Sequence, residues 1–415
     1  MLIRTTKTNL KETLFGKKSA VKSLLFLGVV FMTLLAFSCK KVQVSNPVVS
    51  DTTRNNSDTT TNNTDTTQNN IDTIAVTTTP LVNAGLASRV VYPDANSAVL
   101  SGSGSDSMGT VTFKWAQIGG NATATFGQPT SAVTTVSNLV PGLYTFVLTV
   151  TNRGNISRAD TTTVSVFEKL TWTVEGVTRE ALVHPPTGGS GPAPVIIAFH
   201  GHGGTDTGYA EKAFELSWPE AIVVYPQGLR TKTPVDSDCR ESGWQESVGD
   251  VNCYNGIVDQ DIKFFDAMLP TFKEKYNANL SLVFVHGWSN GADFIYNALW
   301  RARRDKIAAL APAGGNMDTT DGKQPIPVLH IAGTQDTRVL FAEQERDVQN
   351  VRILNQCVAT GKKWAAGSNG LIATKYDSPI NAPVIFLTYN GDHRYPFSVP
   401  PLMVRFFKEI AGVSN

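Results

Sequence analysis

Hydrophobic and polar residues alternate with a period of two through the middle of the chain, within residues 80–168. Such alternation predicts half-buried β-strands, and the Gly, Ser and Asn clusters between them predict turns. Three segments carry the clearest strand pattern: 111–118, 142–152 and 160–168. Short, regularly spaced strands without a helical period predict a β-sandwich, with Trp115 as its buried core tryptophan.

From about residue 193 onward, short apolar runs alternate with segments of helical periodicity. Continuous apolar runs are typical of parallel strands covered on both faces. Strands are predicted at 194–199, 221–226, 282–287, 307–312, 327–333 and 382–389, and helices at 256–275, 290–304, 341–355 and 398–411. This alternation predicts one α/β domain over residues 169–415, with a mostly parallel sheet.

The N-terminal segment has a different pattern again. Residues 1–22 are basic, residues 23–38 are an apolar run, and Cys39 follows. The run is shorter than the ~20 residues that cross a bilayer, so residues 1–38 are predicted to be a secretory signal. The stretch Leu35-Ala36-Phe37-Ser38-Cys39 resembles a bacterial lipobox, which implies lipidation of Cys39 and export of the chain. An uncleaved signal anchor is the alternative.

Residues 39–79 are dominated by Thr, Asn, Asp and Ser, and hold too few apolar residues to form a core. We therefore expect a disordered tether that holds the folded part on a lipid anchor at the cell envelope. The outer membrane is the expected location, and its periplasmic and surface faces both remain open. Contact with the membrane is expected through the lipid only.

The net charge of the chain is unevenly distributed between the N-terminal segment and the rest. The 415 residues carry 36 Lys and Arg against 35 Asp and Glu, a net charge of +1. Residues 1–38 hold six of the basic side chains and only one acidic side chain, so the rest of the chain is acidic. No predicted folded domain is basic, which excludes nucleic acid as an expected partner. We expect a monomer.

A candidate nucleophile lies in Gly287-Trp288-Ser289-Asn290-Gly291, between a predicted strand and a predicted helix. A sharp strand–turn–helix connection of this kind presents the serine hydroxyl at the carboxyl edge of a sheet. Glycines are needed at both ends of the motif because side chains there would clash with the neighbouring strand and helix. Ser289 is therefore the predicted nucleophile.

A serine nucleophile needs a base and an acid that orients the base. His393 follows the last predicted strand, and Asp336 follows the strand before it, so both belong at the carboxyl edge. His330 lies inside a strand and is expected to pack in the core. Asp377 and Asp392 are weaker candidates for the acid. The predicted triad is Ser289, His393 and Asp336.

The negative charge that develops on the substrate needs two backbone N–H donors. One is expected from Asn290, directly after the nucleophile. The other is expected from His202, in the Gly-rich loop 200–204 after the first strong strand. The imidazoles of His200 and His202 have no third ligand nearby in the sequence, so we expect no metal and no other cofactor.

Two family resemblances follow from these pieces. The segments Val82-Asn83-Ala84-Gly85, 100–106, Trp115 and 143–146 resemble a PKD-like immunoglobulin-type domain. This implies an immunoglobulin-like sandwich over residues 80–168 that serves either as a spacer or as a weak polymer binder.

The second resemblance covers about residues 175–412. Its motifs are Phe199-His200-Gly201, Tyr225-Pro226-Gln227-Gly228, Gly243-Trp244-Gln245, Val258-Asp259, Gly287–Ala292, 311–314 and Gly333–Asp336. They resemble the feruloyl esterase and poly(3-hydroxybutyrate) depolymerase family of α/β-hydrolases, related to carbohydrate esterase family one. Tyr395 stands where that family commonly has Trp, and Trp288 is bulkier than usual.

The second resemblance implies an α/β-hydrolase fold and a serine esterase that works through an acyl-enzyme. The expected substrates are feruloyl or related esters on plant polysaccharide, such as xylan. Polyhydroxybutyrate depolymerase, acetyl xylan esterase and an inactive polymer-binding lipoprotein are the alternatives. An aromatic substrate surface made of Trp244, Trp288, Tyr225 and Tyr395 is a further hypothesis, and a place in the core is the commoner role of such side chains.

Three cysteines remain if Cys39 is lipidated, and an exported chain can hold disulfides. Cys239 and Cys253 flank a polar loop that contains Trp244, so a bond between them is expected. Cys357 is an open alternative partner.

Overall fold

The structure is a computed structural model, and it describes residues 78–413. The predicted signal segment 1–38, the lipidation site Cys39 and nearly all of the predicted tether 39–79 lie outside the described residues. Across residues 78–413, no helix is long and apolar enough to cross a membrane.

The first part of the described chain is built from β-strands. They are β1 (Leu81–Asn83), β2 (Ser88–Tyr92), β3 (Ala98–Ser101), β4 (Ser103–Ser105), β5 (Thr112–Gly119), β6 (Thr125–Phe126), β7 (Val133–Ser137), β8 (Gly142–Thr151) and β9 (Ser157–Val174). These strands pair antiparallel, apart from β2, which runs parallel to β9. Every second residue of β8 is buried, as the alternating pattern predicts. Trp115 is buried among these inward residues, which confirms its predicted core position.

The second part continues the sheet. Its strands are β10 (Val177–His184), β11 (Ala193–Phe199), β12 (Ile222–Pro226), β13 (Leu229–Arg230), β14 (Ser242–Gly243), β15 (Ala278–Trp288), β16 (Ala309–Ala313), β17 (Val328–Gly333), β18 (Lys362–Ala366), β19 (Ile372–Tyr376) and β20 (Val384–Tyr389). The central order is β20-β17-β16-β15-β11-β12, and all of these neighbours run parallel. Antiparallel strands flank this set on both sides, so the sheet is mixed at its edges.

Helices cover both faces of the parallel strands. They are α1 (Asp206–Ala210), α2 (Gln260–Tyr276), α3 (Asn290–Asp293), α4 (Trp300–Arg303), α5 (Phe341–Leu354) and α6 (Pro400–Ala411). Successive residues of β11 point to opposite faces: Ile197 packs with α2 and α5, and Ile196 packs with α1 and α6. The result is α/β architecture joined to a β domain.

Strand β9 crosses the predicted boundary between residues 168 and 169 without a break. Its first half pairs with β8 of the sandwich and its second half pairs with β10. Phe167 lies in the apolar cluster of the α/β part, and the Ser165 hydroxyl donates to Glu215 Oε1 at 3.0 Å. The sandwich and the α/β part therefore share a strand and a buried contact.

The segment 290–304, predicted as one helix, is divided in the structure. A π-helical stretch, Phe294–Leu299, separates α3 from α4. The apolar side chains of this stretch are buried, so the periodicity of the sequence correctly marks a packed helical face. The periodicity of apolar side chains does not distinguish a π-helical turn from an α-helical one.

Candidate active site

The backbone turns sharply at Ser289, between β15 and α3. Ser289 has φ +53° and ψ −123°, which few residues with a side chain adopt. A Cβ at Gly287 would overlap the carbonyl oxygen of Gly291, and one at Gly291 would lie 2.5 Å from the Phe199 carbonyl oxygen. Both glycines of the motif are therefore required by the neighbouring backbone, as the sequence predicts.

The structure brings Ser289, His393 and Asp336 together in one line of hydrogen bonds. His393 Nε2 lies 2.9 Å from Ser289 Oγ, and His393 Nδ1 lies 2.7 Å from Asp336 Oδ2. His393 is in the loop after β20, and Asp336 is in the loop after β17. Because β17 and β20 are parallel neighbours, both loops leave the sheet at the same edge.

Asp336 is almost fully buried and is held by its surroundings. Its Oδ1 accepts the backbone N–H groups of Arg338 and Val339, at 2.9 and 3.0 Å. The Gln344 amide donates to Oδ2 at 3.4 Å, and its carbonyl oxygen lies 3.1 Å from His330 Nε2. These contacts fix the carboxylate so that Oδ2 faces the imidazole of His393.

The loop after β11 is fixed by its own histidine. His200 Nδ1 donates to the Gly201 carbonyl at 2.7 Å, and His200 Nε2 accepts the Gly228 N–H at 2.9 Å. Burial lowers the pKa of His200 to about 4, which keeps the ring neutral. His200 therefore shapes the backbone that carries His202.

Asn290 links the nucleophile turn to the segment 243–245. Its Oδ1 accepts the Trp244 N–H at 2.8 Å, and its Nδ2 donates to the Trp244 carbonyl at 3.1 Å. Trp244 Nε1 in turn donates to the His200 carbonyl at 2.9 Å. The two loops predicted to supply N–H donors, at Asn290 and His202, are thus tied together through Trp244.

Two of the four predicted aromatic contact residues line a cavity beside the triad. Trp288 and Tyr395 border a space of about 540 Å³ that also has His393 and Lys212 in its wall. The Trp288 ring centroid lies 4.7 Å from that of His393 and 5.5 Å from that of Tyr395. This side of Ser289 is aromatic and carries a cation.

The predictions for Trp244 and Tyr225 need correction. Both side chains are fully buried in the core. The Tyr225 hydroxyl donates to Glu215 Oε2 at 2.9 Å, and neither residue belongs to the cavity wall that includes Ser289. Their indole and phenol groups hold loops in place, because buried polar groups of this kind need hydrogen-bond partners.

A second cavity, of about 450 Å³, opens on the other side of Ser289. Its wall contains Glu246, Asp293, Asn316 and Arg338. Burial raises the pKa of Glu246 to about 7 and that of Asp293 to about 8, against the hydrogen bonds from Asn290 and Asn316 that lower them. Sequence inspection missed these two carboxyl groups because they are far apart along the chain.

The structure joins Cys239 and Cys253 in a disulfide, with the two Cα atoms 6.6 Å apart. Among the described residues Cys357 is a free thiol, and burial raises its pKa. The bond closes a loop, residues 239–253, that contains Trp244.

His286 and His330 lie in strands and have structural partners. His286 bonds the Tyr209 hydroxyl at 2.7 Å, and His330 bonds the Tyr296 hydroxyl at 2.8 Å. Burial lowers the pKa of His286 to about 3 and that of His330 to about 4, so both rings stay neutral. Each ring packs in the core, as expected for His330 from its position inside a strand.

Comparison with known proteins bears on each part of the chain. Residues 84–166 match a family model that describes a PKD domain. The sandwich resembles a PKD domain. This confirms the first of the two resemblances drawn from the sequence.

The chain is also similar to the bifunctional acetylxylan esterase/xylanase XynS20E of Neocallimastix patriciarum. The two are 25% identical over 191 residues, which are 44% of this chain and 25% of the relative. The chain therefore spans about a quarter of the length of that curated relative. This similarity confirms the resemblance to esterases.

Two solved structures are similar at lower identity. An acetyl xylan esterase from Aspergillus awamori is 17% identical, covers 57% of this chain and 98% of its own, and has a TM-score of 0.43. A CE1 ferulic acid esterase from Anaeromyces mucronatus is 16% identical, covers 58% and 89%, and has a TM-score of 0.38.

Proposed function

We propose that this chain is a serine esterase that hydrolyses carboxylic esters on plant polysaccharide through an acyl-enzyme. The observation that carries the proposal is the line of hydrogen bonds from Ser289 through His393 to Asp336, at 2.9 and 2.7 Å. This line matches a nucleophile, a general base and an orienting acid. The similarity to a bifunctional acetylxylan esterase/xylanase supports the same reaction.

In the first half-reaction, Ser289 Oγ attacks the ester carbonyl carbon while His393 Nε2 takes the hydroxyl proton. Asp336 accepts the hydrogen bond from His393 Nδ1, which holds the tautomer that leaves Nε2 free to act as a base. His393 then returns the proton to the departing alcohol oxygen, and the acyl group stays on Ser289.

The second half-reaction uses the same groups. Water replaces the alcohol and attacks the acyl carbon while His393 takes a proton from it, and His393 then gives that proton to Ser289 Oγ as the bond to the acyl group breaks and the acid is released. In both halves the backbone N–H groups of Asn290 and His202 stabilise the negative charge on the carbonyl oxygen. The Trp244 hydrogen bonds tie the two loops together, which supports donors that are fixed before the substrate binds.

The cavity beside Trp288 and Tyr395 supports an aromatic acyl group such as ferulate. Its volume of about 540 Å³ is in the range of small-molecule pockets, and aromatic rings form part of its wall. An acetyl ester on xylan is the second candidate, favoured by the similarity to a bifunctional acetylxylan esterase/xylanase. With an acetyl group, the Trp288 ring would fill part of the acyl side of the site that so small a group leaves empty.

Substrate comparison tests these candidates. We expect wild-type enzyme to hydrolyse a p-nitrophenyl ester, and Ser289→Ala to fall to the background rate. Methyl ferulate, acetylated xylan and a hydroxybutyrate oligomer are then compared with the wild type. A clear preference for the oligomer contradicts the polysaccharide assignment, and equal background rates for wild type and Ser289→Ala support the inactive binding protein instead.

Export and lipid attachment at Cys39 stay predictions from the sequence. Labelling of cells with a radioactive fatty acid tests them, since Cys39→Ser should abolish incorporation into this chain.

A further inference from the structure

The aromatic cavity beside Trp288 extends from the neighbourhood of Ser289 to Lys212. We call this space of about 540 Å³ the Trp288 cavity. His393, in its wall, has its Nε2 atom 2.9 Å from Ser289 Oγ. Gly201, also in the wall, lies so close to the nucleophile that a Cβ there would be 3.3 Å from Ser289 Cβ. A group bound in this cavity therefore lies next to the reacting hydroxyl.

Apart from histidines, the charged side chains in the wall of the Trp288 cavity are all basic. They are Lys212 and Arg394, and none of the described residues that line the cavity is Asp or Glu. The cavity on the other side of Ser289 has one basic side chain and three acidic ones in its wall: Arg338, Glu246, Asp293 and Asp318. The two sides of the nucleophile thus differ in the sign of their charge.

Lys212 follows α1, and its ammonium group lies against two aromatic rings. Nζ is 4.5 Å from the ring centroid of Phe397 and 5.4 Å from that of Tyr395. Within residues 78–413 it forms no ion pair, and Glu211, its neighbour in the chain, is the charged group that acts on it. Contact with ring faces leaves the N–H groups of the ammonium free to donate. Lys212 is thus a positioned cation that lacks an anion among the described residues.

Partial burial makes an anion beside Lys212 favourable. Burial lowers the pKa of Lys212, because it removes water from the charged form, and Glu211 offsets this only in part. A bound carboxylate opposes the same loss, and it is attracted more strongly next to apolar rings than in open water. A neutral oxygen accepts a hydrogen bond from the ammonium without supplying the opposite charge.

We propose that Lys212 selects acyl groups that carry a carboxylate at the end remote from the ester. The proposal rests on the proposed esterase function, because the acyl part of the ester is placed in the Trp288 cavity. The preferred substrates are then monoesters of dicarboxylic acids. Their free carboxylate pairs with Lys212 while Ser289 attacks the ester carbonyl.

Binding to the full-length Ser289→Ala variant tests this selection without catalysis. Methyl 4-carboxycinnamate carries a carboxylate on the ring carbon farthest from the ester, and methyl 4-carbamoylcinnamate is a neutral ligand of the same shape. We expect the carboxylate to bind about tenfold more tightly in calorimetric titration, because hydrogen bonds between charged groups are stronger than neutral ones. Monomethyl adipate and its terminal amide repeat the comparison on a flexible chain.

Three further variants, each added to Ser289→Ala, assign the preference to one side chain. Lys212→Met keeps the apolar stem and removes the charge, so it should abolish the preference, whereas Lys212→Arg should retain much of it. Lys408→Met is the matched control and should retain all of it. Lys408 Nζ also lies over a ring, 5.8 Å from the Trp218 centroid, but outside the wall of the Trp288 cavity.

The neutral ligand is the reference within each variant. A general loss of structure weakens both ligands and leaves the ratio of their affinities unchanged, whereas loss of the Lys212 charge lowers the ratio. Added salt should also lower the ratio, because it screens the attraction between ammonium and carboxylate.

The inference is overturned if Ser289→Ala shows no preference for the carboxylate in either ligand pair, or if Lys212→Met preserves the preference as fully as Lys408→Met. Failure of the esterase function gives a different result. If the carboxylate is preferred through Lys212 but wild-type enzyme hydrolyses no ester, the selection is supported and the catalytic proposal is contradicted. If wild type hydrolyses charged and neutral esters with equal kcat/KM, the esterase stands and the selection is contradicted.

Discussion

At the scale of single residues, the turn at Ser289 is held in a strained conformation by its neighbours. The positive φ of Ser289 costs about 1–3 kcal/mol, which the surrounding packing must supply. The strand β15, the turn at Ser289 and the helix α3 lie so close together that there is no room for a Cβ at Gly287 or Gly291. The same closeness exposes the Ser289 hydroxyl to His393.

Gly291→Ala tests this packing. Its Cβ would lie 2.5 Å from the Phe199 carbonyl oxygen and 2.6 Å from that of His200, both of them backbone atoms. We expect a loss of about 2–3 kcal/mol in the free energy of unfolding, and esterase activity near background. Gly191→Ala is the matched control, since a Cβ there meets nothing within 4 Å. Equal denaturant midpoints for the two variants would show that the turn is looser than described.

Asp293 gives a pH dependence with a definite sign. Burial raises its pKa from 3.8 to about 8, so the folded chain holds a proton that the unfolded chain releases. Stability therefore falls as pH rises between about 4 and 8. Asp293→Asn removes this loss and keeps the oxygen that accepts the Asn316 N–H at 2.7 Å. We expect the variant to equal wild type at pH 3.5 and to be more stable at pH 8.5, by up to about 5 kcal/mol, since the pKa rises from 3.8 to about 8 and each pKa unit corresponds to about 1.4 kcal/mol. A constant difference in urea unfolding across this pH range contradicts the assignment.

At the scale of elements, long apolar runs and helical periods predicted the central strands and the main helices. The strand predicted at 327–333 is observed as Val328–Gly333, and the helix predicted at 341–355 as Phe341–Leu354. The antiparallel strand β10 (Val177–His184) was missed, because its first half holds the polar residues Thr178, Arg179 and Glu180, of which Arg179 is buried, and only its second half is fully buried. Neither a period of two nor a continuous apolar run describes such a strand.

A residue of the site could be predicted from the sequence where its order along the chain and its position at the end of a strand determine its role. Ser289, His393 and Asp336 meet this condition, and the structure brings them together. Trp244 does not, because an aromatic side chain after a loop has the same pattern whether it faces a substrate or a buried carbonyl group. Three-dimensional packing decides between the two.

The loop closed by Cys239 and Cys253 gives a prediction at this scale. The two cysteines are 14 residues apart, and closing a loop of that length stabilises the fold by about 3 kcal/mol. We expect the double variant Cys239→Ser/Cys253→Ser to lose about that amount in denaturant unfolding. Reductant should destabilise wild type and Cys357→Ser alike. If reductant leaves wild type unchanged, the bond is absent in solution.

At the scale of the whole molecule, β9 joins the sandwich and the α/β part, because it pairs with β8 on one side of the boundary and with β10 on the other. Phe167 belongs to the sandwich side of the predicted boundary, yet its ring centroid lies 5.8 Å from that of Tyr225. Glu215, fully buried, takes hydrogen bonds from Ser165 and Tyr225. The α/β part therefore depends on residues that precede residue 169.

Phe167→Ala tests this dependence. Removing a buried phenylalanine costs about 3–5 kcal/mol. We expect esterase activity, and not only sandwich structure, to be lost at a lower temperature than in wild type. Phe113→Ala, within the sandwich and away from the shared contact, should leave the thermal inactivation of the esterase nearly unchanged. The same inactivation temperature for both variants would mean that the two parts are energetically independent.

The central claim is that Ser289 is an activated nucleophile. Incubation of the full-length chain with a fluorophosphonate, followed by mass spectrometry of the intact protein and its peptides, measures this directly. We predict one adduct, on the peptide that contains Ser289, and none in Ser289→Ala. Labelling of Ser289→Ala to the same extent as wild type, or of the wild type at another serine only, would contradict the account.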